Sequence, residues 1–280
     1  MPPRMTNGRE VSMNVDYSRY ENIMVSREDR ILTLTLNRPN QLNAIDHALH
    51  RELASIFYDI AVDDETDVVI LTGAGKAFCA GGDLKAMKEH ADSHGAPGYY
   101  LSHVDAKRII FSLLDLEKVI IAKVNGACIG LGATLALFCD LIYMADHAVI
   151  ADPHVRAGVV SGDGGAIIWP QLLGYNRAKE YLMTGDAIKA PEAERLGLVN
   201  HSLPAAELDD AVQSMAQRLA DGPQNAIRWS KVTANIGLKQ LAHSILDASM
   251  AYETLTLRSP SHKEAIDAFT ENRRPNFKGL

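Results

Sequence analysis

Two stretches of this 280-residue chain repeat one local pattern, in which an apolar strand runs into a turn of small residues and then into a helix. The first joins the strand Asp67–Thr72 to the segment Lys76–Met87, and the second is Val119–Thr134. Small residues let a ligand approach the main chain, and the start of a helix leaves backbone N–H groups free to bind negative charge. Tight turn geometry alone would explain either stretch. Their repetition predicts two turns that converge on one anionic oxygen.

The remaining N-terminal sequence fits a repeated unit of two strands and a helix. Alternating residues at Ile23–Val25 and Ile31–Leu36 predict a hairpin, and His47–Ala61 has the apolar spacing of an amphipathic helix. Val68–Leu71 and Leu141–Met144 are short apolar runs typical of strands that are buried on both faces. Because helices separate these strands, we predict parallel pairing and an α/β fold.

After Gly174 strand signals nearly vanish, and the pattern predicts helices at Asn176–Met183, Pro191–Leu196, Ala205–Ala220, Pro223–Ile236, Leu238–Leu257 and His262–Phe269. Their apolar faces can cover the chain's own core or meet other subunits. Lys88–Pro97 is predicted to be a loop. We divide the chain into a flexible tail (1–20), a core of ββα units that carries the site (21–202) and a helical C-terminal portion (203–280).

Composition excludes several classes of protein. The formal charge is −7, and no block of like charge indicates a surface for nucleic acid. The first residues lack the apolar segment of a signal peptide, and no apolar run is long enough to span a membrane. The three cysteines have no metal-binding or disulfide spacing, which predicts no metal site and a reducing cytoplasm.

The two turns carry the motifs of a known family. Ala77–Leu84 resembles the AFxAGxDL motif of the crotonase superfamily, the enoyl-CoA hydratase and isomerase group, and Asn125–Gly132 resembles its NGxxxGxG motif. The resemblance extends from about Asn22 to the C-terminus. It implies a crotonase-like spiral of ββα units, an acyl-CoA thioester as substrate, no cofactor besides that coenzyme A, and homotrimers or hexamers. By position, it implies that the N–H groups of Ala80 and Leu131 hold the thioester oxygen as an enolate forms.

The same resemblance suggests further contacts. Its substrate-binding positions fall on Ala44, Gly81, Gly82, Asp83, Leu84, Gly130 and Thr134, and candidates to meet the CoA phosphates are Arg38, Lys85 and Lys278. The segment with Tyr99 and Tyr100 is a candidate cover for the acyl group. We expect the Asp83 side chain to cap or brace the first turn.

The chain departs from the hydratases of the family at both catalytic positions. The two glutamates that those enzymes use are replaced by Thr134 and His154. Asp163 follows His154 by nine residues across a glycine-containing turn, and a carboxylate beside an imidazole fixes its tautomer and raises its basicity. Both residues also have structural explanations, His154 as a packed histidine and Asp163 as a helix N-cap.

The His154–Asp163 pair, the G-D-G turn and the W-P that follows resemble 6-oxocamphor hydrolase, a branch of the superfamily that cleaves β-diketones. Glu253 lies near a further acidic position of that branch, whereas its extra oxyanion histidine falls on Leu131. We therefore predict His154, Asp163 and Glu253 as catalytic, with His154 as a general base.

Three hypotheses remain open: an enoyl-CoA hydratase or isomerase, a C–C or thioester hydrolase that uses His154 and Asp163, and a non-catalytic protein that binds acyl-CoA.

Overall fold

The computed structural model describes residues 15–94 and 102–280 and contains two sheets. The strands are β1 (Ile23–Glu28), β2 (Ile31–Leu36), β3 (Val68–Gly73), β4 (Ala77–Cys79), β5 (Val119–Val124), β6 (Ala127–Ile129), β7 (Leu141–Ala145), β8 (Val149–Ala151), β9 (Ile188–Lys189) and β10 (His201–Leu203). The larger sheet has the order β1-β2-β3-β5-β7-β10, and the smaller one β4-β6-β8-β9. All pairs are parallel except β1 with β2 and β8 with β9.

Helices connect the strands and cover the sheets. They are α1 (His47–Ala61), α2 (Leu84–His94), α3 (His103–Asp115), α4 (Leu131–Leu137), α5 (Gly165–Leu173), α6 (Tyr175–Thr184), α7 (Ala190–Arg195), α8 (Ala205–Ala220), α9 (Gln224–Leu257) and α10 (Pro260–Thr270). The order of strand, short strand and helix recurs at β3-β4-α2 and at β5-β6-α4. The predicted fold class, a spiral of ββα units with a helical C-terminal region, is confirmed.

The core forms where the larger sheet meets the helices. All six residues of β3 are buried, as expected for a strand covered on both faces. The predicted first helix is present, and its N-cap Asp46 accepts a hydrogen bond from the Leu49 N–H at 2.9 Å. Leu49, Leu53 and Phe57 then bury one face of α1 against the core.

Several predicted elements were wrong. The two helices expected on either side of Gly237 are one continuous 34-residue helix, α9. A glycine inside a helix costs only about 1 kcal/mol relative to alanine, and packing along the rest of α9 offsets that cost. Residues 88–94 belong to α2 rather than to a loop. β9 and β10 were missed because two or three residues cannot display a strand period.

The C-terminal helices share the core of the preceding units. Leu208, Val212 and Ala216 of α8 are buried in it, because α8 packs against the larger sheet. The division at residue 203 thus stays a prediction. Tyr20 is buried and the Tyr17 hydroxyl donates to Asp63 Oδ2 at 2.7 Å, so the end of the predicted tail packs against the fold. Residues 1–14 lie outside the described part of the chain. Among the described helices, none is both long and apolar enough to cross a membrane.

Candidate active site

The two glycine-containing turns lie side by side because β4 and β6 are parallel neighbours. Gly81 has a φ of 85°, and a Cβ atom there would lie 2.9 Å from the Ile129 carbonyl oxygen. Gly130 has a φ of 56°. Both positions need glycine, since side chains disfavour this backbone region and the turns approach each other closely.

The predicted donor Ala80 is wrong. Its N–H already donates to the Leu42 carbonyl at 3.0 Å and is therefore unavailable to a ligand. Motif position alone did not reveal this bond, because Leu42 comes from a loop far earlier in the chain.

Gly82 provides the available N–H of this turn. It forms a parallel bridge with Ile45, in which the Ile45 N–H donates to Gly81 and the Asp83 N–H donates to Ile45, at 2.7 and 3.0 Å. A parallel bridge uses the groups that flank its central residue, so the Gly82 N–H points the other way. It has no protein acceptor among the hydrogen bonds of the described residues, and Gly82 lines a cavity.

Leu131 occupies the matching position on the second turn. It is the first residue of α4, where the N–H groups of the opening turn have no intrahelical acceptor. Leu131 lines the same cavity as Gly82. The two turns thus present one candidate N–H each to a common space.

The cavity has a volume of about 370 Å³. Gly81, Gly82, Gly130 and Leu131 form one part of its wall, together with Leu84 and Met87 of α2. Other lining residues come from the segment after β8 and from α9 and α10: His154, Asp163, Glu253, Leu257, His262, Ile266 and Phe269.

His154 begins a short 3₁₀ helix, His154–Ala157, and contacts a second carboxylate besides the predicted Asp163. Its Nδ1 atom lies 2.5 Å from Oδ1 of Asp152, a buried residue that also accepts a hydrogen bond from the Ser161 hydroxyl. Asp163 instead faces Nε2, with its Oδ2 atom at 3.4 Å. Asp152, which sequence analysis missed, is therefore the carboxylate that orients the imidazole. The D-P-H sequence, with its carboxylate two residues before the histidine, was the available signal.

Asp163 lies just before α5 but is not its N-cap, a position held by Gly164. Its Oδ1 atom accepts a hydrogen bond of 3.4 Å from the Thr134 hydroxyl. Thr134 is fully buried and lies outside the cavity wall, so it supports Asp163 instead of contacting a substrate.

Glu253 reaches the cavity from α9. Its Oε2 atom is buried and has no hydrogen-bond partner among the described residues. Burial, and then the negative charge of Asp163, raise the pKa of this carboxyl to about 8. Glu253 is therefore mostly protonated at neutral pH.

The remaining charges follow from the same buried arrangement. Burial opposes the charge of His154, but Asp152 and Asp163 outweigh it and raise the pKa of the imidazole well above its usual value. Burial likewise opposes ionisation of Asp152, yet His154 holds the pKa of that carboxyl below its usual value. Burial raises the pKa of Asp163. The carboxylates thus favour the charged form of His154, and its role as a neutral base stays a prediction.

Asp152, His154 and Asp163 also form a group that could hold a metal, because one donor atom of each lies within 4.8 Å of the others. Asp152 and Nδ1 of His154 already bind each other, however. Contacts among the three side chains themselves therefore explain why these donor atoms lie close together.

The three residues expected to meet the CoA phosphates lie outside the cavity wall, and their role stays a prediction. Arg38 contacts Asp46 at 2.9 Å and Asp83 at 3.2 Å, so its charge is already paired. It also donates to the carbonyl of Ala44, which lies outside the cavity wall. Asp83 accepts a hydrogen bond from the Ala86 N–H at 3.1 Å, in agreement with the expected capping role.

Lys85 and Lys278 are exposed and outside the cavity wall. Tyr99 and Tyr100 lie outside the described residues. Two histidines that the sequence analysis did not single out, His50 and His262, also line the cavity.

A strand-paired turn and a helix start that present N–H groups to one cavity are the arrangement expected of a crotonase-fold enzyme. The family model for enoyl-CoA hydratase/isomerase matches residues 26–280. The chain belongs to this family, as a crotonase-type lyase or isomerase.

Individual relatives agree with this assignment. The crotonyl-CoA hydratase of Syntrophomonas wolfei is 34% identical over 92% of this chain and 98% of its own length. The 1,2-epoxyphenylacetyl-CoA isomerase of Escherichia coli is 32% identical over 92% and 99%. The crystal structure of an enoyl-CoA hydratase/isomerase from Mycobacterium paratuberculosis has a TM-score of 0.81 at 32% identity and covers 88% of this chain and 97% of that one.

Proposed function

We propose that the protein acts on an enoyl-CoA thioester, whose carbonyl oxygen accepts hydrogen bonds from the N–H groups of Gly82 and Leu131. The convergence of these two groups on the cavity is the observation that carries the proposal. Negative charge develops on this oxygen as the enolate forms, and fixed donors in a water-poor site stabilise it. Loss of one such donor costs about 3 to 4 kcal/mol of barrier.

Asp163 and Glu253 supply the proton transfers in this proposal. They take the place of the two glutamates that are replaced by Thr134 and His154. Asp163 faces the imidazolium of His154 and acts as the base that deprotonates water or carbon. Glu253, which is mostly protonated at neutral pH, acts as the acid that delivers a proton to the enolate. Asp152 and His154 orient these two acids and balance their negative charge.

A hydrolase is the second candidate, because the hydratase glutamates are missing and a charged imidazole faces the cavity. In that case the same N–H pair stabilises the enolate that leaves when water cleaves a β-diketone, or the tetrahedral oxyanion that expels the CoA thiolate when water cleaves a thioester. The two candidate functions share the N–H groups that bind the oxyanion and differ in the substrate.

One experiment separates them. The protein is incubated with crotonyl-CoA and with a cyclic β-diketone, while loss of the enoyl absorbance and of the diketone enol band is followed. Hydration of crotonyl-CoA supports the first proposal, and cleavage of the diketone supports the second. If neither turns over, calorimetry with acetoacetyl-CoA tests the third, non-catalytic hypothesis. Binding without turnover favours that hypothesis, whereas absence of heat at millimolar ligand contradicts every acyl-CoA proposal.

We also propose that the protein forms a homotrimer or hexamer, takes coenzyme A only as part of its substrate and works in the cytoplasm. Large apolar side chains on α9 and α10 support the assembly, since Trp229, Ile236, Leu255 and Phe269 are all more than half exposed. Three free, buried cysteines support a reducing compartment. Light scattering coupled to gel filtration measures the subunit number, and a monomer would contradict the proposed assembly.

A further inference from the structure

His50 is a buried polar residue that the proposed chemistry does not use. It lies in the first turn of α1, which starts two residues after Ile45 bridges to Gly82, and it lines the cavity together with Met87. Its side chain is 1% exposed. The Nε2 atom has no hydrogen-bond partner among the described residues.

An unpaired imidazole nitrogen is an unfavourable feature for a wall that only contacts hydrocarbon. Leu84 and Met87, which line the same cavity, are apolar. Burial lowers the pKa of His50 to about 4, so the imidazole is neutral at physiological pH. A neutral imidazole nitrogen forms a hydrogen bond with a polar ligand, and it stays buried without a partner when an alkyl chain covers it.

His262, in α10, adds a second neutral imidazole to the cavity wall. Its Nδ1 atom lies 2.8 Å from the Ala157 carbonyl oxygen, which can only accept, so Nδ1 carries the hydrogen. Burial lowers the pKa of His262 as well, which leaves its Nε2 atom as an acceptor. Besides His154, Asp163 and Glu253, the cavity wall therefore has hydrogen-bonding groups from α1 and from α10.

We propose that His50 is a specificity-determining residue whose Nε2 atom hydrogen-bonds a hydroxyl group on the acyl chain of the CoA thioester. This inference rests on the proposed acyl-CoA function and deepens it by naming a class of acyl group. A hydroxyl fits both neutral tautomers of His50, because it can donate or accept, and it can also donate to His262. An alkyl chain of the same length leaves the buried nitrogen unpaired, and a site that hydrogen-bonds a substrate hydroxyl discriminates against analogues without one.

The test compares hexanoyl-CoA with its 4-, 5- and 6-hydroxy derivatives by calorimetry. The wild-type protein is expected to bind one hydroxylated isomer about 10- to 100-fold more tightly than hexanoyl-CoA. His50→Leu should reduce this preference to less than about threefold, by weakening the hydroxylated ligand and strengthening hexanoyl-CoA. His50→Gln, which keeps a polar end at a similar position, should retain part of the preference.

His147→Leu is the matched control, because His147 is exposed on the surface and does not line the cavity. This variant should keep the wild-type preference. Circular dichroism verifies that each variant is folded, and the Gln variant tests the proposal even if the Leu variant does not fold.

Equal affinity of the wild type for all four thioesters would overturn the role of His50 and leave the acyl-CoA function standing. A preference for one isomer that survives unchanged in His50→Leu would also overturn it. If the wild type binds none of the four, the acyl-CoA function fails, and this inference fails with it.

Discussion

Replacing Glu253 with Gln should stabilise the protein at neutral pH while impairing its chemistry. Glu253 is buried without a partner for Oε2, and its pKa rises from 4.5 to about 8 on folding. Between these two values the folded protein keeps a proton that the unfolded chain releases. The contribution of this group to stability is therefore complete below pH 4.5 and declines as the pH rises to about 8.

The expected size follows from the pKa difference. Each pH unit inside the window removes about 1.4 kcal/mol, so Glu253 should cost roughly 3 kcal/mol of unfolding free energy between pH 5 and 7.5. Gln cannot ionise, which removes this dependence. Relative to the wild type, the variant should therefore gain roughly 3 kcal/mol over that range, or roughly 6 to 10 °C in melting temperature.

Urea unfolding of both proteins at pH 5, 6, 7 and 7.5 measures this difference. The quantity of interest is the change of the difference with pH, because a constant offset reports only how Gln packs. Glu28→Gln, an exposed residue on β1, controls for the removal of a carboxyl group from the surface. If the difference in unfolding free energy between the variant and the wild type is the same at pH 5 and at pH 7.5, the conclusion that burial keeps Glu253 protonated is refuted. Activity, followed in parallel, should fall if Glu253 is the acid.

Three further outcomes are expected. Asp152→Asn should lower turnover by about 10²- to 10⁴-fold with little change in ligand binding, because it disturbs the orientation and charge of His154. His154→Gln should lower turnover to a similar extent. Full activity of either variant would show that the hydrogen bond between Asp152 and His154 has only a structural role. Leu131→Pro removes one candidate donor at a helix position that tolerates proline, so kcat should fall about 10²- to 10³-fold; circular dichroism checks the fold, and an unchanged kcat in a folded variant would exclude this N–H. Gly81→Ala should destabilise the protein by about 1 to 3 kcal/mol in urea unfolding, because it strains φ and collides with the Ile129 carbonyl, and an unaffected midpoint would contradict the close packing of the turns.

Much of the fold was predictable because its signals are local. The first hairpin, the capped α1 helix and the buried strand β3 depend on residue spacing within about fifteen positions. The wrong predictions came from relying on local signals alone. Gly237 resembles a helix end, yet the packing of α9 as a whole keeps the helix continuous.

In the candidate active site, the difference between what local sequence predicts and what tertiary contacts decide is larger. Motif position placed the first oxyanion donor at Ala80, but the distant Leu42 carbonyl takes that N–H, and the bridge from Ile45 turns Gly82 toward the cavity. Hydrogen-bond register between separate segments is not encoded in the motif itself. His50 was overlooked for a similar reason, since its helical position alone does not reveal which cavity it meets.

By itself, the sequence determined the family, the two glycine turns and the presence of a histidine with nearby carboxylates in place of the usual glutamates. Only the tertiary structure decided that Asp152 orients His154, that Asp163 lies on its other side, and that their surroundings raise the pKa of both the imidazole and the Glu253 carboxyl. The physical reason is that residue type and spacing specify which groups are available. Their pKa values and hydrogen bonds depend on burial and on distances of a few ångströms between segments far apart in the chain.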